Sequence, residues 1–383
     1  MKILLIGEYS RLHNSLKEGL QALGHEIEIV GTGDDFKKYS IDYSIYPKTI
    51  ANSKLLTKLK NATHKLAGAD IERIEKAVRF YSLLPQLKGY DHVQLINSDA
   101  LETHPSVQQW LYKKLFRQNK CVSLLVCGDD TPIIEFNLRG ELKYSVLSPY
   151  LADKTLAKQF SYSLKYISKP YVKLFTWVAE HASSLITSDL DYKIPMDKMG
   201  FENTLIPNPV NTDKIAFKPA QITGKIVIFL GINRHSYIKK GLGFFEEALK
   251  IIAKKYPNDI EIIVTENVPY SEYLKMYEKA HILLDQVYAY DQGYNALEAM
   301  AAGKVVFTGA EEEFMQHYKL AERVAINALP DANAIADELS YLIENTKEIK
   351  DISLRARAFI EKEHHYVKIA KKYLEQWNCL PPD

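Results

Sequence analysis

"YNALEAMAAGKVVFTG", residues 294–309, holds the reading on which the fold turns. Small and apolar residues at helical spacing run to Gly303, and an apolar strand-like run follows at once. A helix feeding directly into a buried strand is the repeating step of a parallel α/β sheet. Within the helix Glu298 is the only carboxylate, and the irregular run "YAYDQG" (288–293) precedes it.

The same step recurs on both sides. "KIVIFLG" (225–231), "IEIIVT" (260–265) and "HILLDQ" (281–286) read as strands, and "GFFEEALKIIAKKY" (243–256) reads as an amphipathic helix. Upstream, "KILLIG" (2–7) is a buried strand closed by glycine. Leu12, Leu16, Leu20 and Leu23 follow at helical spacing, Gly24 stops the helix, and "EIEIV" alternates as a strand. "HVQLIN" (92–97), "VSLLVCG" (122–128) and "SSLITS" (183–188) continue the series, with a helix over "VQQWLYKKLFRQ" (107–118). Between the two series lies "LIPNPVNTDKIAFKP" (205–219), which carries three prolines. The expected fold class is therefore α/β, with two Rossmann-like domains joined by a proline-rich hinge. From about 331 to 377 the chain reads as helix throughout.

Composition narrows the function. The chain of 383 residues carries 49 basic and 48 acidic side chains, with 46% hydrophobic residues. Balanced charge argues against a dedicated nucleic-acid binder. No apolar run is long enough to span a bilayer, and the N-terminus reads as a strand rather than a signal peptide. Cys121, Cys127 and Cys379 form neither a disulfide framework nor a metal-ligand spacing. A cytoplasmic location is expected.

In parallel α/β sheets ligands bind beyond the carboxyl ends of the strands. In the second half the loops at those ends are "GINRHSYIKKG" (231–241), "TENVPYSEY" (265–273) and "QVYAYDQG" (286–293). The first supplies Arg234, Lys239 and Lys240; the third ends at Gly293, where a helix starts. A helix N-terminus favours an anion, and glycine there admits close approach. Two cations beside it suit a diphosphate, and Glu298 suits the hydroxyls of a ribose.

These residues, in this order, resemble the donor site of GT-B glycosyltransferases of family 4. "ALEAMAAGKVV" with Gly293 ahead of it is similar to the donor signature, "GINRHSYIKKG" to the phosphate clamp, and "IPNPVNTDKI" to the interdomain stretch. The resemblance spans about 205–310. It implies a GT-B fold: an acceptor-side domain over 1–205, a nucleotide-sugar donor domain over 206–360, and a C-terminal segment, 361–383, packing back on the first domain. It implies retaining transfer from a UDP- or GDP-linked sugar to a glycan or lipid-linked acceptor in surface polysaccharide synthesis, with no required metal. Arg234 and Lys240 would hold the diphosphate, or Lys239 in place of Lys240, since the spacing is one residue longer than usual; Gly231 would belong to the same donor-binding set. Gly293, Tyr294 and Asn295 would offer backbone, and Glu298 would bind the ribose. The family's first glutamate falls at Tyr290; Asp291, one residue on, is the nearest carboxylate and the first catalytic candidate. Lys304 stands where the family has proline.

The first half offers candidates at strand ends: Glu8, Arg11 and His13; Ser98 and Asp99; Asp129 and Asp130. Among them His13 and Asp130 are the catalytic candidates. Lysines and aromatics interleave over 154–177, which reads either as a packed helical surface or as a peripheral contact with the inner membrane surface. A catalytically impaired nucleotide-sugar binder is the alternative raised by Tyr290. A nicotinamide-dependent oxidoreductase is disfavoured, since the first loop reads "GEYSRL" and lacks the Gly-x-Gly-x-x-Gly pattern.

Overall fold

The computed structural model describes residues 1–34, 39–58, 60, 70–266, 268 and 275–377. Most of the loop "TENVPYSEY" and Cys379 fall outside them. Two parallel sheets form the frame. In the first, β1 (Lys2–Ile6), β2 (Glu26–Gly31), β3 (Tyr43–Ser44), β4 (His92–Leu95), β5 (Cys121–Val126), β6 (Ser184–Thr187) and β7 (Thr204–Leu205) lie in the order β3-β2-β1-β4-β5-β6-β7. In the second, β8 (Ile226–Ile232), β9 (Ile260–Glu266), β10 (Ile282–Leu284), β11 (Val305–Thr308) and β12 (Ile326–Asn327) lie in the order β12-β11-β10-β8-β9. Each order reverses direction once, between β1 and β4 and between β8 and β10. Those reversals leave a crevice at the strands' carboxyl ends.

The strand interiors are apolar on both faces because helices cover both. Ile3, Leu4, Leu5 and Ile6 have no exposed surface, and Ile228, Phe229 and Leu230 match them in the second sheet. The helix stops follow the glycines. Gly24 (φ 83°) ends the Leu12–Ala22 helix, with its N–H donating to the Gln21 carbonyl. Gly303 (φ 89°) ends the Tyr294–Ala301 helix, and a Cβ there would lie 2.4 Å from the Lys218 carbonyl oxygen.

The hinge is buried rather than exposed. Ile206, Asn208, Val210, Asn211 and Thr212 are each at most 7% exposed. Val210 exchanges backbone hydrogen bonds with the segment around His365: its N–H donates to the His364 carbonyl at 2.7 Å, and the Tyr366 N–H donates back at 3.1 Å. The C-terminal region is therefore not one continuous run of α-helix. After Thr346–Phe359 a π-turn over Ile360–His364 redirects the chain, and the Tyr366–Gln376 helix lies on the Leu12–Ala22 helix. The contact is close because Gly19 has no side chain; a Cβ there would lie 2.4 Å from the Tyr366 carbonyl oxygen. Trp377 ends the crossing, stacked on His92 at 4.4 Å with its indole N–H donating to Gln94 at 3.2 Å. Cys127 is a free thiol. Among the described residues no helix is long and apolar enough to cross a membrane.

Candidate functional site

The carboxyl ends of the two sheets face each other across a cleft of 1440 Å³. Tyr9 and Ser10 follow β1, Asp99 follows β4, and Gly128 and Asp129 follow β5 on one wall. Gly231 to Asn233 end β8, and Asp285 and Gln286 follow β10 on the other.

On the second wall Gly293 is the N-cap of the Tyr294–Ala301 helix, in extended backbone, and no side chain caps it. The first turn carries no acidic residue. Gly293, Tyr294 and Asn295 all line the cleft, so the positive end of the helix opens on it. The loop after β8 folds into a short helix, Tyr237–Lys240, that brings Lys239 and Lys240 to the same wall. Lys240 Nζ donates to Asp285 Oδ1 at 2.9 Å, and Asn295 Nδ2 donates to the same oxygen at 3.0 Å. Lys239 reaches across the cleft: its Nζ donates to Asp129 Oδ2 at 2.6 Å. The two lysines therefore hold carboxylates where an anionic ligand would compete for them.

Arg234 lies elsewhere. Its guanidinium forms a fork with Glu266, at 2.7 and 2.5 Å, on the exposed edge of β9, and it is not part of the cleft wall. Glu298 is half-buried and also outside the wall; it faces the seam between domains, where it interacts electrostatically with Arg11. The structure therefore does not bring these two together on a nucleotide, and the anion-facing set reduces to Lys239, Lys240 and the helix start.

The three catalytic candidates are all buried in structural roles. His13 Nδ1 bonds the Gly7 carbonyl oxygen at 2.8 Å, and burial pushes its pKa down to about 4, so it is neutral. Asp130 caps the Thr131–Leu138 helix, accepting from Thr131 N at 2.8 Å and from Ser98 N at 2.9 Å. Asp291 accepts from the backbone N–H of Leu190 at 3.2 Å, across the seam. In return Asp191 accepts from the backbone N–H groups of Tyr290 and Asp291, at 3.0 and 3.1 Å. This reciprocal clamp places Asp189, Asp191 and Asp291 together. Burial, then mutual repulsion, raises the Asp191 carboxyl to about 7, and burial raises Asp291 to about 6. Tyr290 is 3% exposed, its ring tilted against that of Tyr144 with centroids 5.6 Å apart, and its hydroxyl accepts from Lys143 N at 3.0 Å. Lys304 sits where a proline was expected because its ammonium donates to the carbonyls of Glu278 and Ala280, at 2.8 and 2.6 Å.

Sequence reading missed Asp285, Asp189 and Asp191. Asp285 follows "HILL" at a strand end, so the strand-end rule alone reaches it. Asp189 and Asp191 gain meaning only from the loop that folds against them. In the 154–177 stretch Phe160, Tyr166, Tyr171 and Phe175 are at most 6% exposed, so the aromatic face is packed. Its Tyr162, Lys165 and Tyr166 join the cleft wall. Among the described residues no cluster of three or more metal-binding side chains forms a metal site.

Two Rossmann-like domains facing a shared cleft are the GT-B fold, and this chain has it. Residues 237–375 match a family model described as "Glycosyl transferase-like". No curated protein matches the chain. Among solved structures it resembles TarM of S. aureus, at 12% identity and a TM-score of 0.61 with 98% of each chain covered. It also resembles the Anabaena protein HepE in complex with UDP and glucose, at 13% identity and a TM-score of 0.57, covering 99% of this chain and 100% of that one. A third resemblance, at 15% identity and a TM-score of 0.53, is to the UDP-GlcNAc 2-epimerase of Neisseria meningitidis bound to UDP-GlcNAc, covering 98% and 99%.

Proposed function

We propose that the protein is a glycosyltransferase that moves a sugar from a nucleoside-diphosphate sugar to an acceptor held on the opposite wall. The observation that carries this reading is the uncapped helix start at Gly293, opening on the cleft beside Lys239 and Lys240. Breaking the anomeric C–O bond leaves an electron pair on a β-phosphate oxygen. Cations and helix N–H groups aimed at that oxygen stabilise the growing charge. The acceptor hydroxyl oxygen forms the new C–O bond, and its proton passes to the departing phosphate oxygen.

Retention of anomeric configuration, through same-face attack, rests on the family 4 resemblance, as do a UDP- or GDP-linked donor and a role in surface polysaccharide synthesis. In this reading the chain's own cations carry the leaving-group charge, so turnover persists in EDTA. A lipid-linked acceptor would place the protein at the inner membrane surface, where the exposed Lys154, Lys158, Lys169 and Lys173 offer a basic face.

The test is a calorimetric screen of UDP, GDP, ADP and CMP sugars, followed by release of the nucleotide with and without acceptor. One nucleotide class binds, and acceptor accelerates release. Binding without turnover on any acceptor supports the impaired binder that Tyr290 suggests. Conversion of the bound sugar to its epimer supports an epimerase, the activity named for the Neisseria protein of the same fold.

A further inference from the structure

The N-terminal wall of the cleft carries a charge pattern that the donor reading leaves unused. Lys165 Nζ pairs with Asp99 at 2.8 Å and lies over the rings of Tyr162 and Tyr166, at 3.9 and 4.7 Å. Lys76 pairs with Glu102 at 2.5 Å. Asp70 accepts from the Glu72 N–H at 3.0 Å at the start of the Glu72–Leu83 helix. Across the cleft Lys239 and Lys240 are held by Asp129 and Asp285. Arg73 differs from all of these lysines. It lines the same cleft, is half-buried, and among the described residues has no carboxylate within 4.0 Å. Its neighbours are the Tyr171 hydroxyl, a neutral hydrogen-bond partner, and at longer range Asp99, which already pairs with Lys165.

A partly desolvated guanidinium without a counter-ion is costly, and its planar fork matches a carboxylate or a phosphate. Tyr9 and Tyr162 line the same cleft, and the Tyr162 side chain is exposed. Tyrosine rings offer a flat apolar face with a polar rim, which suits a sugar ring. We infer that this wall binds an acceptor bearing an anionic group, carboxylate or phosphate, with Arg73 as its counter-ion and the tyrosines as the platform for the sugar. The word acceptor rests on the proposed function. A neutral sugar leaves the guanidinium uncompensated, so the site discriminates by charge.

The experiment titrates the full-length protein, with UDP or GDP present, against three probes: a glucuronate-containing trisaccharide, a glycerol phosphate trimer and a neutral glucose trisaccharide. One of the two acidic probes binds at least about tenfold tighter than the neutral one, and which of the two identifies the source of the charge. Arg73→Gln removes that preference, and Arg73→Lys restores part of it; thermal midpoints of both variants verify folding. Equal affinity for acidic and neutral probes, no binding of either acidic probe, or an acid preference that survives Arg73→Gln overturns the inference. Failure of the wild-type protein to bind any nucleotide in the separate nucleotide titration overturns the donor reading instead.

Discussion

Helix starts in the two domains face the same cleft but are finished differently. In the first domain the helices after β1 and β5 are satisfied from within. Glu8 accepts from the Asn14 N–H at 2.8 Å, and Asp130 accepts from the Thr131 N–H at 2.8 Å. Burial raises these carboxyls, to about 7 and about 6. In the second domain the helix after β10 begins at Gly293 with no side-chain cap. A capped start has spent its positive end on the protein's own carboxylate, whereas an uncapped one keeps it for an anion from outside. In the proposed function this difference supports placing the phosphates on the C-terminal wall and the acceptor on the N-terminal wall.

The sharpest way to break this contrast is to remove the cations beside the uncapped helix. Lys239→Ala with Lys240→Ala is expected to lower nucleotide release from the best donor by ~10²–10³, measured as turnover at saturating donor. Near-normal turnover in the double variant removes the assignment. Next in size is to make the second domain resemble the first. A Cβ at Gly293 would meet only Gln286, at 3.7 Å or more, so Gly293→Asp fits. Its carboxylate caps the helix and repels the diphosphate, and calorimetry should report about tenfold weaker nucleotide binding with no loss of thermal stability.

The clamp that holds the walls together should respond to pH. Asp191 and Asp291 have folded pKa values raised to about 7 and about 6, above the unfolded value for aspartate. Between the unfolded and folded values the folded state holds more protons, so stability falls as pH rises. The contribution is complete below about pH 4 and is lost as pH rises through about 7. Thermal midpoints of wild type measured from pH 5 to 8 should therefore decline more steeply than those of Asp191→Asn. A parallel decline places the pH response elsewhere. The smallest effect is expected at Arg234. Its ion pair with Glu266 is exposed and stands off the cleft, so Arg234→Ala should leave nucleotide affinity nearly unchanged in the same calorimetry. A loss comparable to that of the lysine variant would show that the guanidinium turns inward when donor binds.

The two series of strands and the helix ending at Gly303 were legible in the sequence because periodicity and glycine stops act over a few residues. The strand-end rule likewise put Lys239, Lys240, Gly293, Tyr294 and Asn295 on the cleft. Side-chain direction was not legible. Arg234, Lys239 and Lys240 share one loop, yet the first turns to Glu266 and the others turn inward. His13 and Asp130 stand at the expected strand ends, but buried partners claim their polar atoms.

The sequence by itself determined two parallel α/β units and the loops that border their cleft, since local spacing and the carboxyl-end rule need no partner. Only the tertiary structure decided which charges remain available there, because a carboxylate or cation is claimed by whatever packs within hydrogen-bond reach. Glu266 claims Arg234, Leu190 claims Asp291, and Arg73 is left without a carboxylate among the described residues.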